Sequence, residues 1–210
     1  MTHAIALPWT DPRDRLPLLR PTPNAWFPAA LADLNALLVD HAHCELKAAS
    51  VALSLTGRYA DDPDLVRAMI ALAHEEMRHF RQVVDRLEHR GGTLTPPRAD
   101  RYVSRLRDWS FHEPGGLGSR VDRFLVCAFV EARSCERFRL LAQGLRGTPD
   151  EADLAAFYTR LADAESRHWE MFRDLASAHG PADGVQGRLR AMAAAEAEIV
   201  GELPLGPRMH

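Results

Sequence analysis

The sequence predicts an all-α protein, a four-helix bundle with one long crossover between its second and third helices and an extra C-terminal helix. Three observations carry that expectation. Apolar residues recur every three or four positions over four long segments. Capping residues and glycine or proline breaks bound those segments. No stretch alternates apolar and polar residues between hairpin dipeptides, so strands are not expected.

The elements follow in order. The first 28 residues hold six of the 14 prolines and read as an irregular lead-in. A first long helix is expected over Ala29–Thr56, stopping at Gly57. The second starts at Asp62 as N-cap with Pro63 behind it and Asp64 beside the positive helix end, and closes at Gly91-Gly92. The crossover from Thr93 to Gly118 holds one short helix around Ala99–Trp109. The third long helix spans Ser119–Leu145. The fourth begins at Thr148-Pro149-Asp150-Glu151, a capping box, and ends near Gly180-Pro181. An alanine-rich helix over Val185–Val200 and a tail over 202–210 complete the chain. At 210 residues, one domain over 1–210 is expected.

Bulk composition narrows the class. With 46% apolar and 26% charged residues the chain is neither disordered nor membrane-spanning. The longest uncharged apolar runs, such as Leu125–Val130, are far too short to cross a bilayer. The first residues lack a basic start followed by an apolar run and a small-residue cleavage site, so a cytoplasmic location is expected. The cysteines, Cys44, Cys127 and Cys135, are odd in number and show no CxxC spacing, which predicts buried thiols instead of disulfides or a thiolate zinc site. The net charge is −3, yet eight arginines fall between Arg78 and Arg107 against Asp85, Glu88 and Asp100. That local excess is a candidate polyanion contact, carried by Arg86, Arg90, Arg98, Arg101, Arg105 and Arg107. A solvated arginine-rich face is the plain alternative.

The chemistry lies on the buried stripes. On the second long helix the stripe runs Met69, Leu72, Glu76, His79, Val83, Leu87. On the fourth it runs Phe157, Leu161, Glu165, His168, Phe172, Leu175. The first and third helices add Glu45 and Glu131 to theirs. The order is Glu, Glu-x-x-His, Glu, Glu-x-x-His, and the separations repeat: 31 residues from Glu45 to Glu76 and 34 from Glu131 to Glu165. A single Glu-x-x-His is a weak signal; two on apolar stripes, each one hairpin after an inward Glu, are a strong one. Four carboxylates and two imidazoles are the ligand set of a ferritin-like di-iron bundle, with Glu76 and Glu165 in bridging positions. Four negative charges match two divalent irons, and buried carboxylates without cations would cost several kcal/mol each. The competing reading is a metal-free core of Glu/Arg and Glu/His pairs, because Arg133, Arg137 and Arg167 lie close in sequence. Two further residues are weaker candidates. Glu75 could accept a bond from the second nitrogen of His168. His41 shares the stripe of Glu45 and either lines the pocket or is a satisfied core histidine, the reading preferred.

At these residues the sequence resembles the bacterial tRNA-(2-methylthio-N(6)-isopentenyladenosine) hydroxylases. The matching segments are DHAHCELKAAS around Glu45, HEEMRHF around Glu76 and His79, EARSCERF around Glu131, and ESRHWEMF around Glu165 and His168. The likeness runs from about Leu16 through the fourth long helix and is faint beyond it. It implies a non-haem di-iron monooxygenase that uses O2 to hydroxylate the isopentenyl group of a hypermodified adenosine beside the tRNA anticodon. No flavin, nicotinamide or iron–sulfur motif is visible, so two electrons are expected from an external reductase or ferredoxin-type donor. Other readings share the ligand pattern. An iron-storage or ferroxidase bundle needs a shell-forming surface, with which the proline-rich lead-in and crossover interfere. A quinone-ring hydroxylase needs an apolar membrane-binding face, which is not found. A rubrerythrin-like peroxidase often carries a CxxC iron domain, and no CxxC occurs.

Overall fold

The computed structural model describes residues 16–148 and 151–210. Among them the regular elements are seven α-helices, as the apolar periodicity predicts. The chain divides into two compact units.

One unit comprises Pro28–Ala99 with Leu205–Met209. Its core is a pair of packed helices, α2 (Leu34–Arg58) and α3 (Pro63–His89). The sequence expectation of one helix from Ala29 is corrected here. A short helix, α1 (Trp26–Leu31), ends first, and Asp33 then caps α2 by accepting from Ala36 N at 2.9 Å. A short carboxylate side chain competes well for free amides at a helix start, so the chain breaks there. The α2 helix runs through Gly57, where a stop was expected. Asp62 caps α3 by accepting from Leu65 N, with Pro63 in the first turn. At the far end Gly91 adopts φ +72°, and Gly92 N donates to Leu87 O at 2.9 Å. Only glycine takes that backbone cheaply, and the bond satisfies an end carbonyl. Beyond it, Thr95 O accepts from His43 Nε2 at 2.7 Å and Ala99 O from Arg208 at 3.0 Å, fixing the start of the crossover.

The other unit holds Asp100–Pro204, the residues up to Phe27, and His210. Here α5 (Ser119–Leu145) packs along α6 (Ala152–His179), and α4 (Arg101–His112) and α7 (Ala182–Glu202) pack on α5. The bounds of α5 match the sequence expectation. The short crossover helix starts two residues later than expected, because Asp100 caps it through Val103 N, and ends three residues later. No capping box forms at α6. Glu151 is its N-cap without a side-chain capping bond, and its amide donates to Thr148 O; Pro149 lies outside the described residues. The last helix also exceeds its expected bounds at both ends. The lead-in is extended or bent from Leu16 up to α1, and its earlier residues lie outside those described. Gly144 is required by contact: the Phe27 ring lies 2.0 Å from where a Cβ would stand. Of the cysteines only Cys135 is buried; Cys44 and Cys127 are half-buried, which corrects the expectation of three buried thiols. Among the described residues no helix is long and apolar enough to cross a membrane.

Candidate metal centre

Each helix pair carries the same three donors. In one unit α2 brings Glu45 and α3 brings Glu76 and His79, each offering a ligand atom within 4.8 Å of the others. In the other unit α5 brings Glu131 and α6 brings Glu165 and His168, again within 4.8 Å. Glutamate and histidine three residues apart share one helix face, which is why each Glu-x-x-His acts as a unit. None of the six residues is more than 8% exposed.

The spacing within each triad fits a shared cation. His79 Nδ1 lies 3.4 Å from Glu76 Oε2 and 3.6 Å from Glu45 Oε2, and His168 Nδ1 lies 3.7 Å from Glu165 Oε2. An ordinary N–H···O bond is about 2.9 Å. Adjacent ligands on an octahedral ion with bonds of about 2.1 Å stand about 3 Å apart. Two carboxylates and an imidazole suit a divalent transition metal, and their burial would be costly without one. The donor set of each unit therefore fits a metal ion.

His41 lies on the stripe of Glu45, as expected. It is fully buried, and its Nε2 donates to Glu45 Oε1 at 2.6 Å. Glu75 is half-buried, with its carboxylate 3.9 Å from Arg78. Cys127, four residues before Glu131, is held as a neutral thiol: burial and the neighbouring Glu131 push it up to about 12.

The metal-free reading needs arginines against the triad carboxylates, and Arg133 goes elsewhere. It is fully buried and donates to both oxygens of Glu196, to Glu136, to Thr22 Oγ1 and to Arg20 O. Burial opposes its charge, but Glu136 and Glu196 more than offset that and hold it protonated. Tyr102 donates to Glu196 Oε1 at 3.0 Å, and Thr22 donates to Glu136 through both its amide and its hydroxyl. Burial, and then the charge of Glu196, push the Tyr102 phenol well above its usual range. Arg137 stacks over Trp26 at 5.1 Å, and burial lowers it to about 10. Arg167 is exposed and donates back to Asp163 O. The sequence reading missed the Arg133 cluster. Its one signal was Glu196, an acidic residue on the buried spacing of an alanine-rich helix.

The arginine stretch is uneven. Arg90 and Arg98 in one unit, and Arg101 and Arg107 on α4 in the other, are exposed. Arg86 is half-buried and donates to its own helix at Gln82 O. Arg105 is paired with Glu202 at 2.5 Å, so part of its charge is already neutralised.

Residues 10–210 match the family described as tRNA-(MS[2]IO[6]A)-hydroxylase (MiaE). The chain belongs to this family. A Pseudomonas putida relative named tRNA 2-(methylsulfanyl)-N(6)-isopentenyladenosine(37) hydroxylase is 43% identical over 181 residues, covering 86% of this chain and 84% of the relative. A Salmonella typhimurium relative of the same name is 30% identical, covering 86% and 82%. Among solved structures, Protein 43 with aldehyde deformylating oxygenase activity from Synechococcus superposes with a TM-score of 0.82 at 35% identity, covering 93% of this chain and 96% of that one. The fold is therefore ferritin-like, as expected, and the family is a tRNA hydroxylase family, consistent with the resemblance read from the sequence.

Proposed function

We propose that the chain is a single ferritin-like domain whose two Glu/Glu/His triads hold two non-haem irons, and that it hydroxylates the isopentenyl group of 2-methylthio-N(6)-isopentenyladenosine beside the tRNA anticodon. The observation that carries this reading is the repeat of a buried Glu/Glu/His triad on two helix pairs, in a chain of the tRNA hydroxylase family. Glu45, Glu76 and His79 would hold one iron and Glu131, Glu165 and His168 the other. Bound there, the irons would supply O2 activation and the oxygen atom that enters the prenyl C–H bond. The balance is one substrate, one O2, two electrons and two protons in, one alcohol and one water out. An external reductase or ferredoxin-type donor provides the electrons.

The chain's own residues do the rest. Four carboxylates balance two divalent charges, so the centre is neutral in a core of low dielectric. Phe157, Leu161 and Phe172 on α6, and Met69, Leu72 and Val83 on α3, are buried on the same stripes as the ligands and keep water from the reacting carbon. A base in an anticodon loop is already exposed and can enter an apolar pocket without melting a duplex. Arg90, Arg98, Arg101 and Arg107 are exposed and would contact the tRNA backbone, while Arg86 and Arg105, as paired here, contribute less. A cytoplasmic location follows from the substrate.

Nucleoside mass spectrometry tests the proposal. Prenylated, methylthiolated tRNA is incubated with iron-loaded protein, a reducing system and oxygen, and the modified adenosine must gain one oxygen atom. Unchanged tRNA alongside deformylation of an aldehyde would move the assignment to the reaction for which the Synechococcus protein is named.

A further inference from the structure

The α3 helix has two unlike faces. Its buried stripe carries Glu76 and His79 among Met69, Leu72 and Val83. A helix turns by about 100° per residue, so His74 and Met77, each two positions before a ligand, stand about 200° around the helix from it. There the spacing Ile70, His74, Met77, Arg81 makes a second stripe, and all four residues are exposed. Ile70 is 42% and Met77 43% exposed, although both are large and apolar. Arginines flank them. Arg78 adjoins Met77, 3.9 Å from the half-buried Glu75; Arg81 closes one end, and Arg67 stands beyond the other in a pair with Asp64 at 2.5 Å. The exposed positions from Arg67 to Arg81 include no carboxylate.

We infer that this outer face of α3 is the docking surface for a small acidic electron-carrier protein of the ferredoxin type. The inference rests on the proposed hydroxylation, which requires two electrons from outside the chain. Three features select this occupant. A protein interface has an apolar core, enriched in methionine and arginine, inside a polar rim, whereas a nucleic-acid backbone is gripped by charge and would leave Ile70 and Met77 unused. Arg78 and Arg81 complement an acidic partner and steer its approach. From Ile70 to Arg81 the stripe is about 16 Å long and one helix wide. That is smaller than the ~800 Å² a stable partner covers, but it suits electron-transfer encounters, which sit at the low end of interface size. A carrier seated there is separated by α3 alone from Glu76 and His79, and so from the iron they would hold. Each docking passes one electron and exchanges no atoms, so two reduced carriers are oxidised per turnover.

The test is a binding measurement on the full chain, with an acidic [2Fe–2S] ferredoxin in its oxidised form as the probe, read by calorimetry at low salt. The wild-type protein should bind it, more weakly as salt is added. Met77→Glu and Arg81→Glu should each weaken that binding about tenfold or more, and Arg81→Glu should also flatten its salt dependence. Both residues are exposed, so circular dichroism and the thermal midpoint should match wild type, as should affinity for tRNA. Wild-type protein that does not bind the ferredoxin, or variants that bind it as well as wild type does, would overturn the inference. Variants that lose tRNA affinity would make the face a nucleic-acid surface, and a wild-type dimer that both variants dissolve would make it a contact between copies of the chain; either result also overturns the inference. Hydroxylation of tRNA driven by a small chemical reductant tests the proposed function separately. Hydroxylated tRNA without ferredoxin binding removes the docking face alone, and ferredoxin binding with unchanged tRNA removes the hydroxylase reading alone.

Discussion

Glu131 and Arg133 stand two residues apart on α5, both buried, and they belong to clusters of different kinds. The guanidinium of Arg133 is enclosed by Glu136, Glu196, Thr22 and a backbone carbonyl, with Tyr102 completing the cage. Every charge there has its partner within the protein. Glu131 sits instead with Glu165 and His168, a triad whose histidine stands 3.7 Å from its glutamate, beyond a normal bond. Burial alone therefore does not distinguish a structural charge from a ligand. What distinguishes them is the set each joins: guanidinium with carboxylates in one, carboxylates with an imidazole in the other.

Substitutions in the two clusters should then separate activity from stability. The largest effect on activity is expected from Glu165→Gln: iron per chain should fall from two to one or fewer and tRNA hydroxylation to background. The thermal midpoint of the metal-free protein should stay the same or rise, because a buried negative charge is gone. Arg133→Met should do the reverse, costing about 3–5 kcal/mol in chemical denaturation by stranding Glu136 and Glu196. At a permissive temperature its iron content should stay at wild type. A variant that lost iron and kept its stability would place Arg133 in the metal centre and break the comparison.

Tyr102 sharpens the same contrast through pH. Its folded-state pKa is raised, so the stability it contributes is complete below its unfolded value of about 10 and is lost as pH rises through the higher folded value. Denaturation curves from pH 8 to 11 should show this loss in wild type and less of it in Tyr102→Phe, which should itself cost about 1 kcal/mol at neutral pH. The smallest effects belong to the surface. Arg101→Glu with Arg107→Glu should weaken tRNA binding and flatten its salt dependence by about one unit of slope per lost phosphate contact. Arg105→Ala, which breaks only an exposed pair with Glu202, should change stability by less than about 1 kcal/mol.

The fold was legible because its signals are local. Asp62-Pro63 and Gly91-Gly92 mark both ends of α3, and the stripe of α6 announces Glu165 and His168 by their apolar neighbours. The break at Asp33 was not legible, since apolar periodicity runs through it and the capping bond depends on a single side chain. The His41 bond was equally hidden: a histidine four residues from a glutamate reads the same whether the two touch or not. The Arg133 cluster joins Thr22, Tyr102, Arg133 and Glu196, residues up to 174 positions apart by number (196 − 22), and no local pattern reports such a meeting.

The cap at Asp33 also has a bearing on insertions. A helix turns by about 100° per residue, so one residue added inside α2 ahead of His41 would swing the whole upstream stretch out of register with Glu45. The same residue added at Ala32 falls in the gap between α1 and α2 and can be absorbed there. That two-residue gap works as a clutch, through which changes in the early part of the chain can slip without turning the ligands behind it.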